Sequence, residues 1–350
     1  MHITINGRKI GDGYPVFFIA EAGVNHNSSM VLAKQLIDAA AEAGADAVKF
    51  QTFKTENIIT PNAPKSTYHI QTTGSDKEQT WFELLKTQEL TRAMHIELMN
   101  YCTQKNILFM STPYDKDSAD LLEELGVTAY KIASTDTNNI PFLKYVAAKG
   151  LPMILSSAMS TMEEVTAAVE TVREAGLQEV AMLQCTGNYP ARLEDSHLNV
   201  MKTYRNMLQC VTGYSDHTLE MINPVAATAM GAAIYEKHIT IDKTLPGPDH
   251  RMALDPRELK ETILAIRQTE QALGNSQKQV LESEKENRNK LRKSLVANTD
   301  IAEGAIITAE MLAIKRPGGG IEPSLLNTII GKKALTAIES NSVLQEHMFA

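Results

Sequence analysis

CVTGYSDHTLEMINPVAATAMGAAIYEKHIT, residues 210–240, contains the pattern that decides the fold. It opens on a short apolar run, CVTGYSD (210–216), and closes on another, AIYEKHIT (233–240), and both runs end in polar residues. Six more runs of this kind lie upstream: VFFIAEAG (16–23), DAVKFQT (46–52), ILFMST (107–112), AYKIAS (129–134), PMILSS (152–157) and VAMLQCT (180–186). Segments with helical periodicity separate most of them. MVLAKQLIDAAAEAG (30–44) and TMEEVTAAVETVREAG (161–176) both stop at a glycine, a common helix terminator. Near-continuous apolar strands alternating with helices indicate a parallel sheet covered on its outer face. Eight such units predict a closed (β/α)8 TIM barrel, with an open doubly wound sheet as the competing arrangement. Ahead of them, HITI and RKI flank Asn6-Gly7, a tight-turn dipeptide, so a β-hairpin is expected where it can plug the barrel's bottom.

Two stretches break the rhythm. Residues 53–89 are rich in Thr, Lys, Gln and Asn and hold the sole tryptophan, Trp81. A long loop there would follow the second barrel strand and lie over the C-terminal mouth, where lids are found. Past residue 280 the texture becomes ESEKENRNK and then short strand-and-turn segments. The expected organisation is a barrel with its hairpin over 1–280, a linker over 281–289 and a small, mostly β domain over 290–350. A barrel of roughly 250 residues plus a small module accounts for the length.

Composition narrows the function. The net charge of −8 gives no general attraction for nucleic acid. Any anionic substrate therefore needs a local cluster of Lys, Arg or metal. The basic run RNKLRK (288–293) reads as a solvated helix or linker. Three widely spaced cysteines, Cys102, Cys185 and Cys210, form no disulfide framework and fit a reducing cytoplasm. Neither a signal-peptide core nor an apolar run of membrane-spanning length is expected.

The active site of a barrel enzyme sits at the C-terminal ends of its strands. Those ends carry Glu21, Lys49 with Gln51, Ser111-Thr112, Lys131 with Ser134, Ser156-Ser157, Cys185-Thr186, Ser215 with His217, and Glu236 with His238. His217 and His238 close the last two strands, neighbours about 4.8 Å apart, so both imidazoles can reach one divalent cation. The plainer alternative is a satisfied core pair. Period-2 alternation puts Glu236 and His238 on one face, and Ser215 and His217 on one face. A histidine pair without thiolates suits Mn²⁺, Mg²⁺ or Zn²⁺. Lys49 and Lys131 interrupt otherwise apolar strands. Buried lysines are rare unless paired, so these two are anion candidates, with snorkelling to solvent as the alternative. Two lysines with Ser and Thr hydroxyls suit a phosphate and a carboxylate. Glu21 and Asp136 are candidates for polyol contact or proton transfer, and Asp136 can equally form an Asx-turn with Thr137 and Asn138. No nucleotide-binding, zincin or hydrolase-elbow motif occurs.

At this point IAEAGVNHNSS (19–29), AVKFQTFK (47–54), FMSTPYD (109–115), AYKIAS (129–134), CTGNYP (185–190), GYSDHT (213–218), IYEKHITIDKTLPGPDH (234–250) and IKRPGGGI (314–321) resemble the sialic acid (nonulosonate) synthase family. The resemblance runs over essentially the whole chain, and the tail resembles that family's antifreeze-like (SAF) domain. It implies condensation of phosphoenolpyruvate and water with an N-acetylated amino sugar of the 2-acetamido-mannose type, by a domain-swapped homodimer with no nucleic-acid or membrane partner. It implies His217 and His238 as ligands of a divalent metal, Mn²⁺ before Mg²⁺ or another ion. Lys49, Gln51, Lys131, Ser134, Ser156 and Ser215 would hold phosphoenolpyruvate, with Thr112 a further substrate contact. Glu21, Tyr189 and Asp249 would act near the sugar, with Glu236 between the two groups. Arg316 would enter the partner's site.

There are departures. Many relatives read Ser-Gly-Glu where this chain has Ser134-Thr135-Asp136. Gly187-Asn188 and Ser157-Ala158 also depart from the commoner pairs. These positions bear on the acceptor, and Asp136 is expected to bind its hydroxyls. A 2,4-diacetamido-trideoxy sugar giving a legionaminic-type acid is the alternative acceptor. A non-catalytic carbohydrate- or ice-binding protein is the alternative of another class.

Overall fold

The computed structural model describes residues 1–350, which divide into two compact units, Met1–Gly274 and Asn275–Ala350. In the first unit a hairpin of β1 (His2–Ile5) and β2 (Arg8–Gly11) turns at Asn6-Gly7, both with positive φ. The eight expected strands follow: β3 (Phe17–Gly23), β4 (Ala47–Thr52), β5 (Leu108–Pro113), β6 (Tyr130–Ile132), β7 (Met153–Ser156), β8 (Val180–Cys185), β9 (Val211–Asp216) and β10 (Ile234–His238). They form one parallel sheet in the order β5-β4-β3-β10-β9-β8-β7-β6. The end strands β5 and β6 lie against each other, which makes the sheet a barrel.

Two apolar layers hold this unit together. Strand residues facing outward, such as Phe18, Val48, Leu155 and Tyr235, pack against the helices. Inside the barrel, Phe17, Ile19, Met110, Ile154, Leu183 and Ile234 stack on Ile3, Ile5 and Ile10 of the hairpin. Each fully buried isoleucine of the hairpin contributes roughly 2 kcal/mol of apolar burial, so the hairpin closes the lower end firmly. Gly213 is required at the centre of that layer. A Cβ there would meet the Ile234 carbonyl oxygen at 2.2 Å and Leu183 Cδ2 at 2.7 Å.

Helix α1 (Met30–Ala43) starts where the Ser29 side chain accepts the Leu32 N–H and stops at Gly44, which adopts φ 85°. The stretch 53–89, expected as a long loop, instead holds three short helices: α2 (Thr55–Ile58), α3 (Thr67–Thr73) and α4 (Trp81–Gln88). Ser66 caps α3, and Thr80 with Glu83 forms a reciprocal capping box on α4. Capping, with little periodicity, organises this region, which is why its composition alone reads as loop.

The second unit is built from β11 (Ser294–Ala297) and β12 (Leu312–Lys315), antiparallel, plus isolated bridges such as Ile301↔Ile338 and Ala334↔Phe349. Leu295, Ile307, Ile321, Ile329 and Leu344 form its core. The segment 281–289 is not an extended tether, because a 3-10 turn at Glu282–Glu284 runs into the helix Lys285–Leu291. Its exposed i,i+4 pair Glu286–Lys290 favours helix over coil. No helix is long and apolar enough to cross a membrane.

Candidate active site

The parallel register brings the polar strand ends to one level. His238 on β10 stands opposite Glu21 on β3, and Glu236 opposite Ser215 on β9. All of them open on one cavity of 860 Å³ at the upper end of the barrel. Lys49, Gln51, Thr112, Lys131, Ser134, Ser156, Ser215, Tyr189 and Asp249 line the same space.

A chain of buried charge crosses its floor. Lys49 Nζ lies 2.5 Å from Glu21 Oε2 and 3.8 Å from Glu236 Oε2, and donates to Thr112 Oγ1 at 3.0 Å. Lys131 Nζ lies 3.6 Å from Glu236 Oε1 and donates to Ser156 Oγ at 2.5 Å. Ser215 Oγ donates to Glu236 Oε1 at 3.0 Å. Two cations thus share two carboxylates in a nearly dry site. Burial alone lowers both lysines. For Lys49 the charges of Glu21 and Glu236 outweigh it and hold the ammonium above its ordinary range. For Lys131 burial wins over Glu236, and its pKa falls. Burial pushes Glu21 up to about 7 against the pull of Lys49, and Asp249 up to about 6 against the pull of His217 and Lys49. Glu236 would also rise with burial, but Lys131 and Lys49 hold it below the usual range.

The two imidazoles have ring centroids 5.5 Å apart. His217 Nδ1 lies 2.7 Å from the Thr186 carbonyl oxygen, to which it donates. In the neutral ring that leaves Nε2 as the lone-pair nitrogen. Cys185 Sγ is 3.7 Å from the same Nδ1. Burial disfavours the imidazolium, but negative charge on the Cys185 sulfur and the Thr186 carbonyl outweigh it and hold His217 up at about 9. His238 Nδ1 is buried without a hydrogen-bond partner, 3.7 Å from Asp249 Oδ2. Burial and then His217 push its pKa well down, so this ring is neutral. No third His, Cys, Asp or Glu completes a metal-holding cluster. The protein can therefore offer two nitrogens, with further positions left to oxygen ligands.

Behind these rings, on the outer face of the same strands, lies a second buried ion pair. Lys237 Nζ is 2.6 Å from Asp216 Oδ2 and donates to the Thr218 carbonyl at 2.6 Å. Tyr235 donates its hydroxyl to Asp216 Oδ2, and Thr218 donates its N–H and hydroxyl to Asp216 Oδ1. Because Asp216 precedes His217 and Lys237 precedes His238, this network fixes the height at which the two rings emerge.

The upper wall comes from the helices after β4. Tyr68, His69, Trp81, Leu84 and Leu85 line the cavity. Tyr68 hydrogen-bonds the Pro248 carbonyl, next to Asp249, so α3 is fastened to the loop that carries that carboxylate. One expected residue lies elsewhere. Asp136 occupies a 3-10 turn, where its Oδ1 accepts from Asn139 Nδ2 at 2.9 Å, and it is not part of the cavity wall. The turn geometry that competes for this residue prevails, and the preceding Thr135 faces the cavity in its place. Arg316 belongs to the second unit, where its Nε donates to the Leu291 carbonyl at 2.9 Å. The wall also includes Tyr114, Met159 and Asn188, which the strand-end rule misses because they lie on the loops beyond the strands.

Comparison with known proteins places this geometry. The NeuB family model matches residues 36–278, and the SAF domain model matches 292–350. The chain is 41% identical over 352 residues to the N,N'-diacetyllegionaminic acid synthase of Legionella pneumophila, covering 99% of this chain and 98% of that protein. It is 36% identical to the N-acetylneuraminate-9-phosphate synthase of Homo sapiens, covering 98% and 95%. Among solved structures it is similar to the N-acetylneuraminic acid (sialic acid) synthetase of Leptospira borgpetersenii in complex with citrate, with a TM-score of 0.72 and 34% identity over 83% of this chain and 97% of that one. The barrel, its strand-end charges and its C-terminal module thus belong to one lineage: this chain is a member of the NeuB family with a SAF domain at its C-terminus.

Proposed function

We propose that the barrel condenses phosphoenolpyruvate with an uncharged 2-acetamido-mannose-type sugar, N-acetylmannosamine in its simplest form, and with water, giving a nine-carbon 2-keto acid and phosphate. The carrying observation is that two buried lysines and two imidazoles open on one cavity. Lys49 and Lys131 are the only lysines in that wall, which holds no arginine, enough for the carboxylate and phosphate of phosphoenolpyruvate. Thr112, Ser134, Ser156 and Ser215 add hydroxyls, and Gln51 an amide, at the same level.

The sugar's aldehyde carbon is attacked by the enol C3 of phosphoenolpyruvate, water adds at C2 as positive charge develops there, and the tetrahedral C2 collapses to the ketone as its bond to the phosphate oxygen breaks and phosphate leaves with the hydroxyl proton. The lysines neutralise the two anionic groups, which lets them lie close in a dry site. Glu21, poised near neutrality, accepts the proton released by the water. Asp249, also raised, returns a proton to the former aldehyde oxygen. Tyr189, whose ring stacks 4.2 Å from that of His217, holds the sugar against the histidines. His217 Nε2 and His238 suit Mn²⁺ or Mg²⁺, whose charge would displace the His217 proton, since only a neutral imidazole ligates. A dication held there would polarise the aldehyde oxygen as a Lewis acid. Three buried free thiols fit a reducing cytoplasm as the working compartment.

Phosphate release from phosphoenolpyruvate, Mn²⁺ and N-acetylmannosamine, with product mass by mass spectrometry, tests the reading. His217→Ala is expected to lose stoichiometric Mn²⁺ by metal analysis and to lower kcat/KM about 10³-fold. A fully active His217→Ala with unchanged metal content would overturn the ligand assignment.

The family resemblance further supports a swapped homodimer in which Arg316 of one protomer completes the other's site. Arg316 lies beside Pro317 and three glycines, on an exposed stretch whose guanidinium suits an acyl oxygen. Mixing inactive Arg316→Ala with inactive His217→Ala protein, with subunit exchange, should restore activity, because each mixed dimer holds one intact site. Verified heterodimers without activity would rule the swap out.

A further inference from the structure

Gln88 lines the reaction cavity although no strand end points to it. It completes one face of α4. Trp81, Leu84, Leu85 and Gln88 recur at i, i+3, i+4 and i+7, so they share one side of the helix, and all four belong to the cavity wall. Glu83, Lys86 and Thr87 are exposed. The inward face is apolar until its last residue, an amide that is 4% exposed. Gln88 Oε1 is the one buried polar side-chain atom of this wall with neither a hydrogen bond nor an ion pair. Glu21 Oε2 and Glu236 Oε2 face Lys49, and His238 Nδ1 faces Asp249.

Contacts on either side hold the residue in place. The Thr87 carbonyl accepts the Ser28 hydroxyl, and Glu89 accepts the Thr55 N–H at 2.8 Å. A buried acceptor without a partner costs free energy, which a donating ligand group returns on binding. The two proposed substrates differ in what they can donate. An amide oxygen accepts and does not donate. Ionised phosphoenolpyruvate carries acceptors only, so it offers Gln88 Oε1 nothing. A sugar carries hydroxyls, and an acetamido sugar also an N–H. We propose that Gln88 is a specificity-determining residue for the acceptor sugar. Its Oε1 accepts a hydrogen bond from one hydroxyl or N–H of that sugar, and Trp81, Leu84 and Leu85 pack against the C–H groups beside it. The inference rests on the condensation proposed above and adds a residue that reads a polar group of the acceptor.

Wild type and Gln88→Met are compared with N-acetylmannosamine and with four analogues, each lacking the donor group at C2, C3, C4 or C6. Met keeps the side chain's length and nearly its volume. Phosphate release is measured with phosphoenolpyruvate and Mn²⁺. Sugar binding to the Mn²⁺-loaded protein without phosphoenolpyruvate is followed by the emission of Trp81, the sole tryptophan, and Tm by thermal unfolding. Gln88→Met is expected to raise KM for N-acetylmannosamine about tenfold with kcat nearly unchanged, as for a contact made equally before and during reaction. Its Tm should hold or rise, since an unpaired buried amide is removed. One analogue should lose about tenfold with the wild type and nothing further with Gln88→Met, because the two changes delete the same hydrogen bond. A fall in Tm would mark Gln88 as structural and overturn the proposal. Losses that add for every analogue, or a wild type that binds no sugar, would overturn it too. A non-additive loss in binding for one analogue, without phosphate release from any sugar, would uphold the contact and refute the condensation.

Discussion

Lys49→Met is expected to abolish turnover and weaken the fold together, whereas Lys131→Met should mainly abolish turnover. Both lysines are the proposed anchors of the anionic donor, and removing one such electrostatic partner costs about 10²–10³ in rate, more where the site is dry. The difference lies in what each leaves behind. Lys49 sits 2.5 Å from Glu21 and 3.8 Å from Glu236, so its loss leaves two buried carboxylates facing each other. Breaking a buried pair by removing one partner costs about 3–5 kcal/mol. Glu21 is already held up at about 7 and would take a proton, absorbing part of that cost. Lys131 lies farther from its carboxylate, at 3.6 Å, and burial already works against its charge. Phosphate release and chemical denaturation on both variants check this. Equal stability of the two proteins would contradict the charge chain described here.

Lys237→Met should unfold the barrel at markedly lower temperature although it touches no substrate. It removes the partner of Asp216, whose side chain is fully buried. The same 3–5 kcal/mol applies, a fall in Tm of roughly 10 °C or more. The double variant Asp216→Leu with Lys237→Met removes both charges and is expected to recover part of the loss, since a buried pair replaced by apolar groups is often near neutral, while the donors of Tyr235 and Thr218 are left without their acceptor. If the double variant is as unstable as the sum of the singles, the pair is not coupled. Metal affinity of the double variant is a separate readout. It should stay weakened, because His217 and His238 then leave strands whose ends are no longer tied.

These two pairs show where sequence is informative and where it is not. All eight strands, the hairpin and the neighbouring histidines were legible, because apolar runs and period-2 alternation act locally. Lys49 and Lys131 stood out as charges inside apolar runs. Lys237 is also such a charge, yet alternation points it outward, and nothing local says that Asp216 of the adjacent strand answers it. The helices α2–α4 were hidden because caps at Ser66 and Thr80 organise them in a polar stretch. Asp136 was misplaced because one carboxylate can serve a turn or a ligand, and only the backbone path decides.

The hairpin stopper has a kinetic consequence. With Ile3, Ile5 and Ile10 sealing the lower end, the barrel is a flask with one neck. Whatever enters deepest must enter first and leave after anything above it. The donor's proposed anchors, Lys49 and Lys131, are only 3% and 2% exposed, beneath the half-buried Tyr189. Phosphoenolpyruvate is therefore expected to load before the sugar, and a sugar arriving early acts as a cork that slows the donor. Excess acceptor should inhibit, and raising the donor concentration should relieve it.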